Sequence, residues 1–162
     1  MDGDLVVDDL QPADHEAVRT LVLNGLAERW GCLDPACNDD LAALGTRRDS
    51  ERTVVVRLGG VIAATGTISR RGREAEIRRM SVAVDRRRRG LARAIVAELV
   101  GTARRWGVGR VVLETTSTWA VALYRSCGFV VTHVDAGDTW FALDLLRVPA
   151  PNPRTRPAGT AR

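Results

Sequence analysis

The chain has no lysine. All 24 of its basic side chains other than histidine are arginine, a choice that reads first as codon bias of a GC-rich genome and only second as a demand for guanidinium groups. Cysteine is scarce: Cys32, Cys37 and Cys127 are odd in number, and their spacing matches no zinc-ligand pattern. Reduced thiols in a cytoplasmic protein, with no metal, are the plain expectation. Aromatic residues make up only 4% of the chain, with a single tyrosine, Tyr124, so there are few platforms on which bases could stack. No apolar run approaches the roughly 20 residues of a membrane-spanning helix. The opening "MDGDLVVDDLQ" lacks the positive region and long apolar core of a signal peptide. The net charge of +4 is modest; it permits an anionic ligand without requiring nucleic acid.

What is present is ordinary globular material, 45% hydrophobic and 27% charged over 162 residues, long enough for one domain to close a core without staples. A domain over 1–148 is expected, followed by a Pro- and Arg-rich tail over 149–162 with almost nothing to bury and therefore disordered. "DLVVDDL" reads as an opening strand. In "QPADHEAVRTLVLNGLAERWG", Asp14 can serve as N-cap, and Val18, Leu21, Val22 and Leu26 mark one helical face. "CLDPACNDD" is loop chemistry, and Asp39 or Asp40 can cap a second short helix, "LAALGTRR". The period then changes. "TVVVRLGGVIAATGTIS" is two strands about Gly59-Gly60, a hairpin signal, and "REAEIRRMSVAV" is a third strand whose alternation is less regular. "GLARAIVAELVGTARRWG" is a helix with Leu91, Ile95 and Leu99 on one face. "RVVLETT" is a buried strand, "STWAVALYRSCG" a short helix, and "FVVTHVDAGDTWFALDL" two strands around a turn at Asp135 to Asp138. The fold class is therefore α/β.

Residues 85–94, "DRRRRGLARA", admit two readings. Four consecutive arginines can be a solvated basic turn, or Arg87 to Ala92 can form an anion cradle between a strand ending near Val84 and a helix beginning near Gly90. A helix N-terminus carries N–H groups with no intrahelical partner and partial positive charge. Gly90 lets the backbone approach a ligand, Ala92 keeps the next turn slim, and neighbouring guanidiniums can reach outlying phosphates.

"EIRRMSVAVDRRRRGLARAIVAEL" resembles the acyl-CoA signature of the GNAT N-acetyltransferases, in which a strand runs into Arg/Gln-x-x-Gly-x-Gly/Ala and then a helix. "VVLETTSTWAVALYRSCGFVV" is similar to the same family's second signature, through Ala120, Tyr124, Gly128 and Phe129. The resemblance implies a GNAT-like, mostly antiparallel central sheet of about six to seven strands flanked by about four helices, with acetyl-CoA as cosubstrate and an amine of a small molecule or peptide as acceptor. It places the coenzyme's pyrophosphate on the backbone of Arg87, Arg88, Arg89, Gly90, Leu91 and Ala92, and on Arg93. The pantetheine arm would lie along the main chain of Val82 and Val84, with Met80 near. Tyr124 stands where the family often has a general acid, suited to protonate the departing thiolate. The attacking amine must lose a proton, for which Glu76 and, behind it, Glu114 are the candidate bases; the Val82 N–H is a candidate oxyanion donor.

Two departures from the family pattern stand out. Ser117 replaces a frequent Asn, shortening the reach to the cofactor arm, and Ala92 replaces the last Gly of the cradle. Trp30, Asp34, Asn38 and Asp40 lie in the link that commonly covers the acceptor site in this fold and would select a cationic amine; equally, Asp34-Pro35 is a turn and the aspartates are caps. His15 and His133 are expected to be structural or exposed, and Cys127 a small packed residue. Relatives often form homodimers. The rival readings are a non-catalytic acyl-CoA-binding sensor or interaction module, and a nucleic-acid binder working through Arg86 to Arg89, whose affinity would fall steeply with salt. Neither nucleic acid nor membrane is expected as a partner.

Overall fold

Val54 and Val56 face one side of their strand and Val55 the other, yet all three are fully buried. Both faces of that strand must therefore be covered, and helices on opposite sides of a sheet supply the cover. The structure is a computed structural model that describes residues 3–30 and 49–146, with 29 and 30 as backbone only. In chain order it contains β1 (Leu5–Asp9), a 3-10 turn (Pro12–Asp14), α1 (His15–Trp30), β2 (Glu51–Leu58), β3 (Val61–Arg71), β4 (Glu74–Val82), a 3-10 turn (Val84–Arg86), α2 (Leu91–Arg105), β5 (Arg110–Thr115), α3 (Thr118–Ser126), β6 (Val130–Asp135) and β7 (Asp138–Asp144).

The strands form one sheet in the order β1-β2-β3-β4-β5-β7-β6. Only β4 and β5 run parallel, joined through the α2 crossover. The expected α/β class and a mostly antiparallel sheet at the upper end of the expected strand count are found. Three α-helices are described. The fourth expected helix, "LAALGTRR", and the tail lie outside the described residues.

Helix α1 covers β3 and β4 on one face, with Val18 and Val22 buried against Val55. Helix α2 covers the other face. Its Leu91, Ile95 and Leu99 are each at most 1% exposed and pack against Val54, Val56 and Ile68, as their helical spacing predicts. Helix α3 flanks β5 and β6 on the α2 side, adding Ala120 and Tyr124 to the same core. Gly59 and Gly60, with φ of 59° and 83°, close the β2–β3 hairpin.

Asp14 does not cap α1 as expected. It is the last residue of the preceding 3-10 turn, only 8% exposed; its carboxylate accepts a hydrogen bond from the Gln11 N–H at 3.0 Å and from Arg57 Nη2 at 2.7 Å. It thus ties the entry of α1 to β2.

The feature that positions the site is a fork between the two parallel strands. β4 and β5 pair only from Glu74–Arg110 to Glu76–Val112. Beyond that point β4 continues to Val82 and β5 to Thr115 with no pairing between them. The cause lies in β4, where the register with β3 slips so that Thr67 faces Arg78 while Thr65 faces Ser81. Arg79, at φ 54°, is the extra residue of this bulge, and a bulge sharpens the local twist and bends its strand. Opposite it, a Cβ on Gly66 would lie 2.6 Å from both Ile95 Cγ2 and Met80 Sδ. The bulge is thus packed tightly under α2.

Candidate active site

The second half of β4 leads out of the fork into the arginine-rich turn, so backbone geometry there determines what the cleft can hold. The Ala83 N–H donates to the Ala63 carbonyl on β3 at 2.8 Å. Successive N–H groups of an extended strand alternate sides, so the Val82 N–H points the other way, into the fork. Val84 is a correction: β4 ends at Val82, and Val84, 63% exposed, opens the 3-10 turn. The Asp85-Arg86 turn closes the strand before Val84 can lengthen its free edge.

Beyond this turn the chain reaches α2 through two left-handed residues, Arg88 at φ 62° and Gly90 at φ 78°. Gly90 is the N-cap of α2, and no side chain caps the helix there. The first intrahelical bond runs from the Ala94 N–H to the Gly90 carbonyl at 3.0 Å, so the N–H groups of Leu91, Ala92 and Arg93 have no partner within the helix. A Cβ at Gly90 would meet nothing within 4 Å. The requirement for glycine is therefore the backbone angle.

These donors line a cleft of about 450 Å³. Of the residues expected at the coenzyme, Val82, Arg87, Arg88, Gly90, Leu91, Ala92 and Arg93 line it, and Arg86, Trp119 and Leu123 complete it. Arg89, Met80 and Ser117 are not on its wall. Met80 packs against the core beneath Gly66. Ser117 is the N-cap of α3, but its hydroxyl caps nothing; its backbone N–H donates to Thr115 Oγ1 at 3.1 Å and its carbonyl accepts from the Ala120 N–H at 3.1 Å. That hydroxyl is therefore available beside the end of β5.

Side-chain contacts hold the cleft walls together. Arg87 donates to Glu28 of α1 at 2.6 Å and to the Val82 carbonyl at 3.4 Å. Arg93 donates to Ser126 Oγ at 2.9 Å, joining the first turn of α2 to the end of α3. Trp119, 51% exposed, and Leu123 present an apolar edge from α3. The wall thus combines free N–H donors, guanidiniums and an apolar strip, which fits a diphosphate joined to a less polar arm. Sequence reasoning missed Trp119 and Leu123. Their signal was an i,i+4 pair of large apolar residues, each one position before the inward-facing Ala120 and Tyr124; Trp119 is exposed and Leu123 half-buried.

The proton-transfer candidates are divided between the two faces of the sheet. Tyr124, 5% exposed, is packed edge-on to Phe129 at 5.9 Å and tilted against Phe141 at 5.7 Å. Its ring belongs to the core on the α2 side. Glu76 sits where β4 and β5 part, and its carboxylate is 2.7 Å from Arg71 Nε. Glu114 lies two residues past the parting on β5 and is exposed. Glu76 and Glu114 share the face that α1 covers farther along, opposite Tyr124. Burial pushes the Arg79 guanidinium in the bulge down from its ordinary value. Asp34, Asn38 and Asp40 lie outside the described residues; Trp30 is described only as the last backbone residue of α1. Among the described residues no His, Cys, Asp and Glu cluster could hold a metal ion, and no helix is long and apolar enough to cross a membrane.

No curated protein matches the sequence. Solved structures match in fold. PaiA N-acetyltransferase from Thermoplasma acidophilum, in complex with coenzyme A, superposes with a TM-score of 0.75 at 10% identity, covering 87% of this chain and 99% of that one. YncA from Salmonella typhimurium, with its cofactor acetyl-CoA, gives 0.73 at 20% identity over 93% and 99%. The ribosomal-protein-S18-alanine N-acetyltransferase from Escherichia coli gives 0.69 at 18% over 92% and 99%. The family model described as "Acetyltransferase (GNAT) family" matches residues 17–129, most of the chain and both signatures. The chain belongs to the GNAT family of acetyltransferases.

Proposed function

We propose that this acetyltransferase moves an acetyl group from acetyl-CoA directly to a primary amine of a small molecule or peptide, both bound at once. The observation that carries the reading is the continuity of the fork with the cleft. Strand β4 presents unpaired backbone where it leaves β5, and the same backbone then supplies the free N–H groups at the start of α2. A ligand with an extended amide-bearing arm and a diphosphate matches that sequence of donors, and acetyl-CoA is such a ligand. The arm runs along Val82, the diphosphate rests on residues 90–93, and the Ser117 hydroxyl bonds the arm from the other side.

Chemistry at the fork needs a donor for the carbonyl oxygen, an acid for the thiolate and a base for the ammonium. The Val82 N–H serves the first. Tyr124 serves the second, its hydroxyl being the one polar group of a ring that the core holds still. Glu76 serves the third through water, which requires its carboxylate to share Arg71 with the incoming proton; Glu114 is the second candidate. The coenzyme reaches the fork from the α2 side, where Trp119 and Leu123 stand, so the amine approaches from the opposite face, which carries both glutamates.

The test is Tyr124→Phe. The expected result is turnover down by about a hundredfold or more with coenzyme A affinity within twofold of the parent, measured by thiol release and by calorimetry. Unchanged turnover would remove Tyr124 from the mechanism. A parent protein that binds acetyl-CoA yet releases no thiol with any amine in a broad panel would instead be a non-catalytic acyl-CoA-binding module.

A further inference from the structure

Directly across from Glu114, in the register of β5 and β7, stands Trp140, and across from Trp140 on β6 stands His133. Residues paired this way share a face of the sheet, so the three side chains form one row leading away from the fork. Trp140 is half-buried and stacks flat on His133, with ring centroids 4.1 Å apart and planes 9° apart. α1 packs on β3 and β4, and among the described residues no helix covers this row.

Glu114 is unusual among its neighbours. Glu51, Glu74 and Glu76 each have an arginine within 4 Å, whereas Glu114 has no ion pair or hydrogen bond among the described residues. An unpaired carboxylate beside an indole held by stacking attracts a cation in two ways, through charge and through the ring face. Strand spacing puts Trp140 and His133 about 5 and 10 Å to the side of β5.

We propose that Glu114 and Trp140, with His133 fixing the indole, hold a second positive charge on the acceptor. The preferred substrate would then be an amine carrying another cationic group about 5–10 Å from the reacting nitrogen. The assignment rests on the transferase reading only for the place where the amine reacts, and it makes Glu114 a binding residue and leaves the base role to Glu76.

The experiment compares 1,6-diaminohexane with 1-aminohexane, first as ligands of the coenzyme A-saturated protein by calorimetry, then as acceptors by thiol release. The diamine is expected to bind about tenfold more tightly. Glu114→Gln should erase that preference in binding, and Trp140→Leu should reduce it. Equal affinity for the two amines in the parent, or a preference that survives Glu114→Gln, overturns the assignment. So does loss of turnover with both amines in Glu114→Gln at unchanged binding, which would mark Glu114 as the base. Tighter diamine binding without thiol release would count against the transferase reading alone.

Discussion

Replacing Gly90 with alanine separates two things that glycine does in this turn, and Gly72 provides a matched control. Both residues have positive φ, 78° and 62°, and at neither would a Cβ meet another atom within 4 Å. The folding penalty is therefore conformational in both cases. Holding an L-residue in the left-handed region costs about 1–2 kcal/mol, only partly offset by about 0.4–1 kcal/mol from a less flexible unfolded chain. For a chain of this length each kcal/mol lowers Tm by about 2–4 °C, so both variants should melt a few degrees below the parent. They should differ in ligand binding. Gly72 sits in the β3–β4 turn, away from the cleft, whereas Gly90 lines the cleft, where the new methyl group and any relaxation of φ disturb the donors of residues 91–93. Coenzyme A affinity, measured by calorimetry, should fall about tenfold or more in Gly90→Ala and stay within twofold in Gly72→Ala. A Gly90→Ala protein that loses Tm like its control yet binds coenzyme A normally would show that the diphosphate does not rest on this turn.

Two further predictions concern the scaffold. Hydrogen bonding from Arg57, assisted by the Gln11 N–H, holds the Asp14 carboxyl below its ordinary value against the opposing effect of burial. A lowered folded pKa means that this stabilisation is fully present above the unfolded value near pH 4 and fades as pH falls through the folded value. Asp14→Asn should therefore cost about 1–3 kcal/mol at pH 7, with the gap to the parent narrowing in urea titrations towards pH 3; a gap independent of pH would sink the assignment. Ile95, fully buried between α2 and the sheet, should cost about 2–5 kcal/mol when cut to alanine, read as a lower urea midpoint at unchanged m-value. A loss below about 0.5 kcal/mol would mean that α2 does not pack as described.

The parts of this fold that were legible in the sequence depend on neighbours along the chain. Leu91, Ile95 and Leu99 announced the inner face of α2 because helical spacing alone puts them together. The cradle was legible for the same reason, since a glycine between a strand and an apolar-faced helix places free N–H groups wherever the rest of the chain goes. Asp14 was misread because Ncap chemistry is local, while its real partner, Arg57, lies 43 positions away. Trp119 and Leu123 were not legible because helical spacing marks the inward face of Ala120 and Tyr124, and the strip beside it gains meaning only from the distant cleft wall it completes.

The fork is the instructive case. No residue type encodes two parallel strands parting after three pairs, yet a trace of its cause was visible. Alternation in β4 was irregular around Arg78 and Arg79, and that break is the bulge: Ala75 and Ile77 face α2 before it, Met80 and Val82 after it. Were Arg79 a regular strand residue instead of a bulge, Met80 would point away from α2 and Ser81 would lose its place against α1, where its hydroxyl reaches the Leu21 carbonyl at 3.4 Å. A second non-local choice matters as much. The β6–β7 hairpin might have joined β5 through either strand, and "FVVTHV" is the more apolar by letter. Phe141, 1% exposed, decides it, because on β7 it reaches Tyr124 and Leu113 together. β6 is left as the exposed edge. That single packing decision turns Trp140 towards Glu114, so the residue that anchors Tyr124 on one face also sets the row of Glu114, Trp140 and His133 on the other.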